Sequence, residues 1–127
     1  MTDILSEIKE ITAEILDMED DIEISAETYL IRDLGAESID LLEISVSLNN
    51  KLDLEIIDED IFLRRLREYM VQAEENTTNP EKQLKQKYPF LSGDRVKEIL
   101  EDLSGGPVLK IKDLIAYIEW KQNHEAR

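Results

Sequence analysis

Apolar positions recur at helical spacing along most of the chain. Ile4, Leu5, Ile8, Ile11, Ile15 and Leu16 fall at steps of three and four, which predicts an amphipathic helix over 3–16 with Thr2 placed to cap it. The run from Asp17 to Glu23 ends that period as a solvated acidic loop; it lacks the central glycine and ligand spacing of a calcium loop. Residues 22–36 read as an ordered loop anchored by Ile24, Tyr29, Leu30, Ile31 and Leu34. A second helix is predicted over about 38–52. Leu41, Ile44, Leu48 and Leu52 form its core face, and Ile39, Leu42 and Val46 form a second stripe. After the extended approach Leu54-Glu55-Ile56-Ile57, Asp58 is placed to cap a turn, and helical spacing continues to about Met70 or Val71.

Helix starts and stops punctuate the rest. Asn79 followed by Pro80 opens a helix over about 80–88, and Ser92-Gly93-Asp94 opens another over 93–103. Val96, Ile99, Leu100 and Leu103 are its expected buried stripe, and Gly105-Gly106-Pro107 ends it. A last helix over 111–123 carries Ile111, Leu114, Ile115, Ile118 and Trp120, with Tyr117 beside them. No stretch alternates with strand period, so the fold class is all-α, a small helix bundle.

With 127 residues, the chain suits one domain with a modest core. Charge sharpens this picture. Thirty acids against fifteen bases give a net of −15, and residues 1–62 hold 19 of the acids but only Lys9, Arg32 and Lys51 as bases. Such a field repels nucleic-acid phosphates and attracts basic patches on proteins. Arg64, Arg65, Arg67, Lys82, Lys85 and Lys87 form the one basic cluster, expected to neutralise the acidic half internally or to meet an acidic partner. Without cysteine, and with His124 as the one histidine, no thiolate nucleophile, Cys-type metal site or usual nucleophile–base pair is available. No phosphate loop or dinucleotide fingerprint is present. The expectation is a non-enzymatic protein without a metal. With no apolar run long enough to span a membrane and no visible secretory signal, it is also expected to be cytoplasmic.

One stretch stands out: Asp33-Leu34-Gly35-Ala36-Glu37-Ser38-Ile39-Asp40. Gly35 suits a tight bend, and Ser38 falls at a helix start, where the residue type alone suggests an N-cap. Glu37, Asp40 and Glu43 suit the positive end of the helix dipole. The stretch also resembles the D-L-G-x-D-S-L-D motif of the acyl carrier protein family. Further similarity lies in the first helix, in Thr28-Tyr29-Leu30, in Leu54-Glu55-Ile56-Ile57-Asp58-Glu59, and in Lys110-Ile111-Lys112-Asp113-Leu114-Ile115-Ala116-Tyr117-Ile118. About 80 residues are covered.

The resemblance implies a four-helix carrier bundle with 4′-phosphopantetheine attached to Ser38, holding an acyl cargo as a thioester for fatty-acid or related lipid and secondary-metabolite synthesis. A phosphopantetheinyl transferase and acyl-handling enzymes with basic docking patches are the implied partners. Glu37, Asp40, Glu43, Asp58, Glu59 and Asp60 would steer them, and Ile39, Leu42 and Val46 would be the apolar contacts. An aminoacyl or polyketide carrier, or an unmodified helical adaptor using the acidic face, are the alternatives. The sequence departs from the pattern in Glu37 for Asp, Ile39 for Leu, and Asn49-Asn50-Lys51 where acids are usual. It also has a helical insertion at 64–108 between the third and fourth helices of what is expected to be a single 1–127 domain. That insertion is expected to enlarge the apolar interior, to dock a dedicated partner, or simply to pack on the bundle.

Overall fold

Helices form where the apolar period runs. The computed structural model describes residues 3–18 and 23–125. Among them the elements are α1 (Ile4–Ile15), α2 (Ser38–Leu52), α3 (Asp58–Ile61), α4 (Leu66–Glu75), α5 (Pro80–Lys87), α6 (Gly93–Asp102) and α7 (Ile111–Glu125), with a 3-10 turn at Leu103–Gly105. No strand is present among the described residues; an isolated bridge pairs Tyr29 with Lys110. The protein is all-α, a carrier-type bundle with additional helices.

Ile8 and Ile11 of α1, Leu41, Ile44 and Leu48 of α2, Ile61 of α3, and Leu114, Tyr117 and Ile118 of α7 are buried together. Leu84, Tyr88, Leu91, Val96 and Ile99, all between the third and last bundle helices, belong to the same apolar cluster. Aromatic edges stitch the two regions. Tyr88 meets Tyr69 and Phe90 at ring separations of 5.4 and 5.8 Å, and Phe90 meets Tyr117 of α7 at 5.2 Å.

Several boundaries differ from the sequence expectation for physical reasons. The helix that begins at Asp58 does not run on to Met70 or Val71: it stops at Ile61, and Leu63 takes φ 53° before α4 starts at Leu66. Ile61, Phe62 and Leu63 are all buried, whereas in a continuous helix three successive side chains would fan over about 200°. The break lets all three reach the interior. α4 then extends to Glu75 because Ala73 supplies a further buried anchor, at 1% exposure. Asp58 is the first helical residue and not the cap; Ile57 holds the cap position. Leu103 leaves the buried stripe of α6, since the tighter 3-10 turn rotates it outward, and it is exposed. The caps at Asn79 and Ser92 form as read: Asn79 Oδ1 accepts from the amides of Glu81 and Lys82, and Ser92 Oγ from that of Arg95. Thr2 and most of the acidic loop, residues 19–22, lie outside the described residues.

Two polar connections tie the 64–108 segment to the bundle. Arg95 of α6 is buried and grips Asp113 of α7 through Nε–Oδ1 (2.7 Å) and Nη2–Oδ2 (2.8 Å), and Nη2 also donates to the Val108 carbonyl (2.7 Å). Burial is the largest single influence and works against the guanidinium's charge, but the hydrogen bonds and charges of Asp113 and Glu98 together outweigh it and raise the Arg95 pKa. Arg32 donates to the Asp102 carboxylate (3.0 Å) and to the carbonyls of Asp102 and Gly106, while Tyr29 donates its hydroxyl to the same carboxylate. The Tyr29 and Arg32 hydrogen bonds hold Asp102 below the usual carboxylate range.

A third, exposed cluster has a pH signature. Hydrogen bonds from Lys110 and then Lys112 lower Glu27 to about 2, from an ordinary 4.5. A depressed carboxylate contributes stability that is present above its unfolded pKa and lost as pH falls through its folded one. The stability difference between the native protein and Glu27→Gln is therefore expected at pH 6, shrinking below pH 4.5 and gone by about pH 2. Because Glu27 is largely solvent-exposed, the difference should be small and weaken in salt. Urea titrations at stepped pH measure it, and a difference that persists at low pH would reject the electrostatic cause.

Candidate functional site

The loop before α2 is held from below and released at its end. Leu30 is fully buried, its amide donates to the Leu109 carbonyl (3.0 Å), and Ile111 donates to the Thr28 carbonyl (3.0 Å), fixing the loop to the start of α7. Asp33 Oδ2 accepts from the Tyr29 amide (2.9 Å) and closes the turn. Gly35 takes φ 71°, and a Cβ there would meet no atom within 4 Å. Backbone conformation, not space, favours glycine at this position. Ala36, 6% exposed, is the last anchor before the chain emerges.

Ser38 is the first residue of α2 and is not its cap. Glu37 occupies the N-cap in extended conformation, and its amide donates to Asp40 Oδ2 (2.8 Å). With Glu37 and Asp40 arranging the helix start, Ser38 is exposed and its hydroxyl has no hydrogen-bond partner among the described residues. A capping serine would have its oxygen committed to an amide; this one is free.

Around it the candidate contact residues fall on one exposed side of α2. Ile39, Leu42 and Val46 are 57%, 48% and 51% exposed, large values for side chains that ordinarily seek the core. Glu37 and Glu43 are exposed, whereas Asp40 is half-buried by its role at the helix start. On α3, Glu59 is exposed, and Asp58 and Asp60 are half-buried. Burial, then the neighbouring Glu59, pushes the Asp60 carboxyl above its usual range. Ile57, just before α3, adds an exposed apolar side chain that the sequence reading did not single out. Its neighbour Ile56 is packed against the core, so the Ile56-Ile57 pair held the signal: adjacent residues in an extended segment face opposite ways.

The far end of α2 explains one departure from the family pattern. Asn49 Nδ2 donates to the Leu54 carbonyl (2.6 Å), closing the turn after the helix, where Asp53 takes φ 53°. Lys51 approaches Glu7 and Glu10 of α1 at 3.8 Å.

Among the described residues no ion pair joins the basic cluster to residues 1–62; Arg65 acts on Asp60 and Glu59 only at longer range. Arg65 pairs with Glu68 of α4. Lys87 lies over the Tyr69 ring (5.4 Å). Lys82 and Lys85 stand out from α5. Arg64 and Arg67 are exposed, and neither side chain has an ion pair or hydrogen bond among the described residues. Arg64 lies in the turn between α3 and α4, and Arg67 on the first turn of α4. Arg64 lines, with Ser38, a cleft of about 290 Å³ whose walls are Leu41, Phe62, Leu66 and Val108. No group of three or more metal-ligating side chains is gathered among the described residues.

The family described as "Phosphopantetheine attachment site" matches residues 6–69, a match that ends inside α4. The acyl carrier protein of Clostridium perfringens (strain SM101 / Type A) is 45% identical over 53 residues, covering 42% of this chain and 68% of that protein. The acyl carrier protein of Campylobacter lari is 37% identical over 57 residues, covering 45% and 73%. No solved structure matches the chain significantly.

Proposed function

The chain belongs to the acyl carrier protein family, whose members bear covalent 4′-phosphopantetheine, and from that premise we propose that Ser38 is the attachment residue. The observation that carries the assignment is the division of labour at the start of α2. Glu37 and Asp40 manage the helix end, which leaves the Ser38 hydroxyl exposed and unbonded. The residues present fit the group: a free hydroxyl to be esterified, at the mouth of a cleft in which Arg64 can face a phosphodiester.

The arm's terminal thiol supplies the thioester chemistry, which a chain without cysteine does not provide itself. The protein's own residues present, orient and steer. Proteins of this family are carriers and not catalysts. Gly35 and Ala36 present Ser38 to a phosphopantetheinyl transferase. Glu37, Asp40, Glu43, Asp58, Glu59 and Asp60 draw in basic patches on that enzyme and on acyl-handling enzymes, and Ile39, Leu42, Val46 and Ile57 form the apolar contact within that frame. The cargo is an acyl intermediate of fatty-acid or related lipid synthesis, in keeping with the relatives named as acyl carrier proteins. The 1–127 chain works as one domain with 64–108 as an insertion, a reading supported by the apolar cluster common to both regions. No helix among the described residues is long and apolar enough to cross a membrane; a cytoplasmic setting for the carrier is part of the same proposal.

Intact mass after incubation with coenzyme A and several phosphopantetheinyl transferases tests the assignment. The expected result is one phosphopantetheinyl increment, absent in Ser38→Ala. An increment that survives in Ser38→Ala would reject the residue, and no increment with any transferase would favour an unmodified adaptor.

A further inference from the structure

The cleft at Ser38 does not end where the bundle ends. A second cleft, of about 430 Å³, shares Leu63, Arg64, Leu66, Pro107 and Val108 with it and continues past Arg67 and Met70 to Leu103. One trough therefore runs from the proposed attachment serine into the insertion. Its lining includes two arginines and no acidic residue. That is notable because the half of the chain holding Ser38 has 19 acids and 3 bases. Arg64 and Arg67 are exposed and their side chains are unpaired among the described residues. In so acidic a protein, two arginines left without carboxylate partners on an otherwise apolar trough mark a place suited to an anion with an apolar extension.

The backbone aims the trough. Leu63 at φ 53° takes a left-handed conformation that is unusual for a bulky residue. It is the residue that turns α3 into α4 and directs Arg64 to the Ser38 side. Opposite, Arg32 bonds to the Asp102 carboxylate and to the Asp102 and Gly106 carbonyls, pinning the Leu103–Pro107 wall against the loop that presents Ser38. Both walls are thus positioned from the serine end.

We propose that this trough is the resting site of the Ser38-borne arm. Arg64 bonds the phosphodiester, and the insertion's apolar wall of Met70, Leu103 and Pro107 shelters the far end of the arm and its acyl cargo. The proposal rests on the assignment of Ser38. It gives the insertion a ligand-binding role, in which the cargo is covered by surface added between the third and last bundle helices.

Amide spectra of the full-length protein before and after loading with a medium-chain acyl-phosphopantetheine test it, with intact mass taken first. The expected result is resonance shifts at residues 62–70 and 103–108 as well as beside Ser38. In Arg64→Gln, loaded to the same mass, those distant shifts should shrink by about twofold or more as the charge-assisted bond is lost. Arg64 has no structural partner, so unchanged amide dispersion in the unloaded variant is expected and checks that it folds. If loading succeeds and the shifts stay beside Ser38, or move to residues of α1 and α7, the trough is rejected while Ser38 stands. If the distant shifts are the same in Arg64→Gln, the phosphodiester contact is rejected. Failure to load rejects both the Ser38 assignment and the trough.

Discussion

Arg95→Ala is expected to destabilise the protein by about 3–5 kcal/mol, the cost typical of stripping one partner from a buried ion pair. Asp113 is 1% exposed, and its carboxylate faces two guanidinium bonds and the Lys110 amide. Removing Arg95 leaves that charge in the interior with one neutral donor, and it also strips the Val108 carbonyl of its guanidinium donor. The loss comes from stranded polar groups far more than from the net worth of the pair, because attraction between buried charges roughly offsets their desolvation. A second variant separates these effects. Arg95→Met with Asp113→Leu removes both charges and should recover most of the loss. Urea denaturation with a common slope measures both, and a double variant as unstable as Arg95→Ala would show that the pair itself, not the orphaned carboxylate, carries the stability.

The elements legible in the sequence were those set by local rules. The stripes of α1, α2, α6 and α7 follow from spacing, and the starts of α5 and α6 follow from Asn79-Pro80 and Ser92. The bend at Gly35 also follows from residue type. What escaped depends on partners distant in the chain. No local rule says that Ile61, Phe62 and Leu63 must all reach one interior, so the break between α3 and α4 was invisible. In the sequence Arg64 and Arg67 belong to one basic cluster with Arg65 and the α5 lysines, whereas in the fold Arg64 and Arg67 line a cleft and Arg65 pairs with Glu68. Arg32 meets Asp102 seventy residues away, and Arg95 meets Asp113 across a turn, pairings that charge composition does not encode. At the site, residue type suggested Ser38 as an N-cap, but Glu37 holds that position, because an aspartate three residues after Glu37 accepts its amide and starts the helix one residue earlier.

Replacing residues 66–107 with a short linker is expected to abolish cooperative folding, and not to yield a smaller, equally stable carrier. Tyr117 of α7 is fully buried, packed edge-on against Phe90, and its hydroxyl accepts the Ile57 amide (3.2 Å). Trp120 leans on the same Phe90 ring (6.2 Å). The deletion would uncover that face of α7, strand Asp113 without Arg95, and release Arg32 from Asp102. Near-UV circular dichroism and calorimetry of the shortened chain read this as lost aromatic signal and a broadened or absent transition. Tyr88→Ala gives the graded counterpart. Its ring is fully buried between Tyr69 and Phe90, and its truncation should cost about 3–5 kcal/mol, as for other large aromatic residues in a core. A shortened chain that unfolds cooperatively, with α7 still ordered, would mean that the segment only packs on the outside. Near-native stability of Tyr88→Ala would point the same way. Loss in both would mean that the added helices complete the interior on which α7 rests, and through α7 the loop that presents Ser38, since Leu30 and Thr28 bond to the backbone at Leu109 and Ile111.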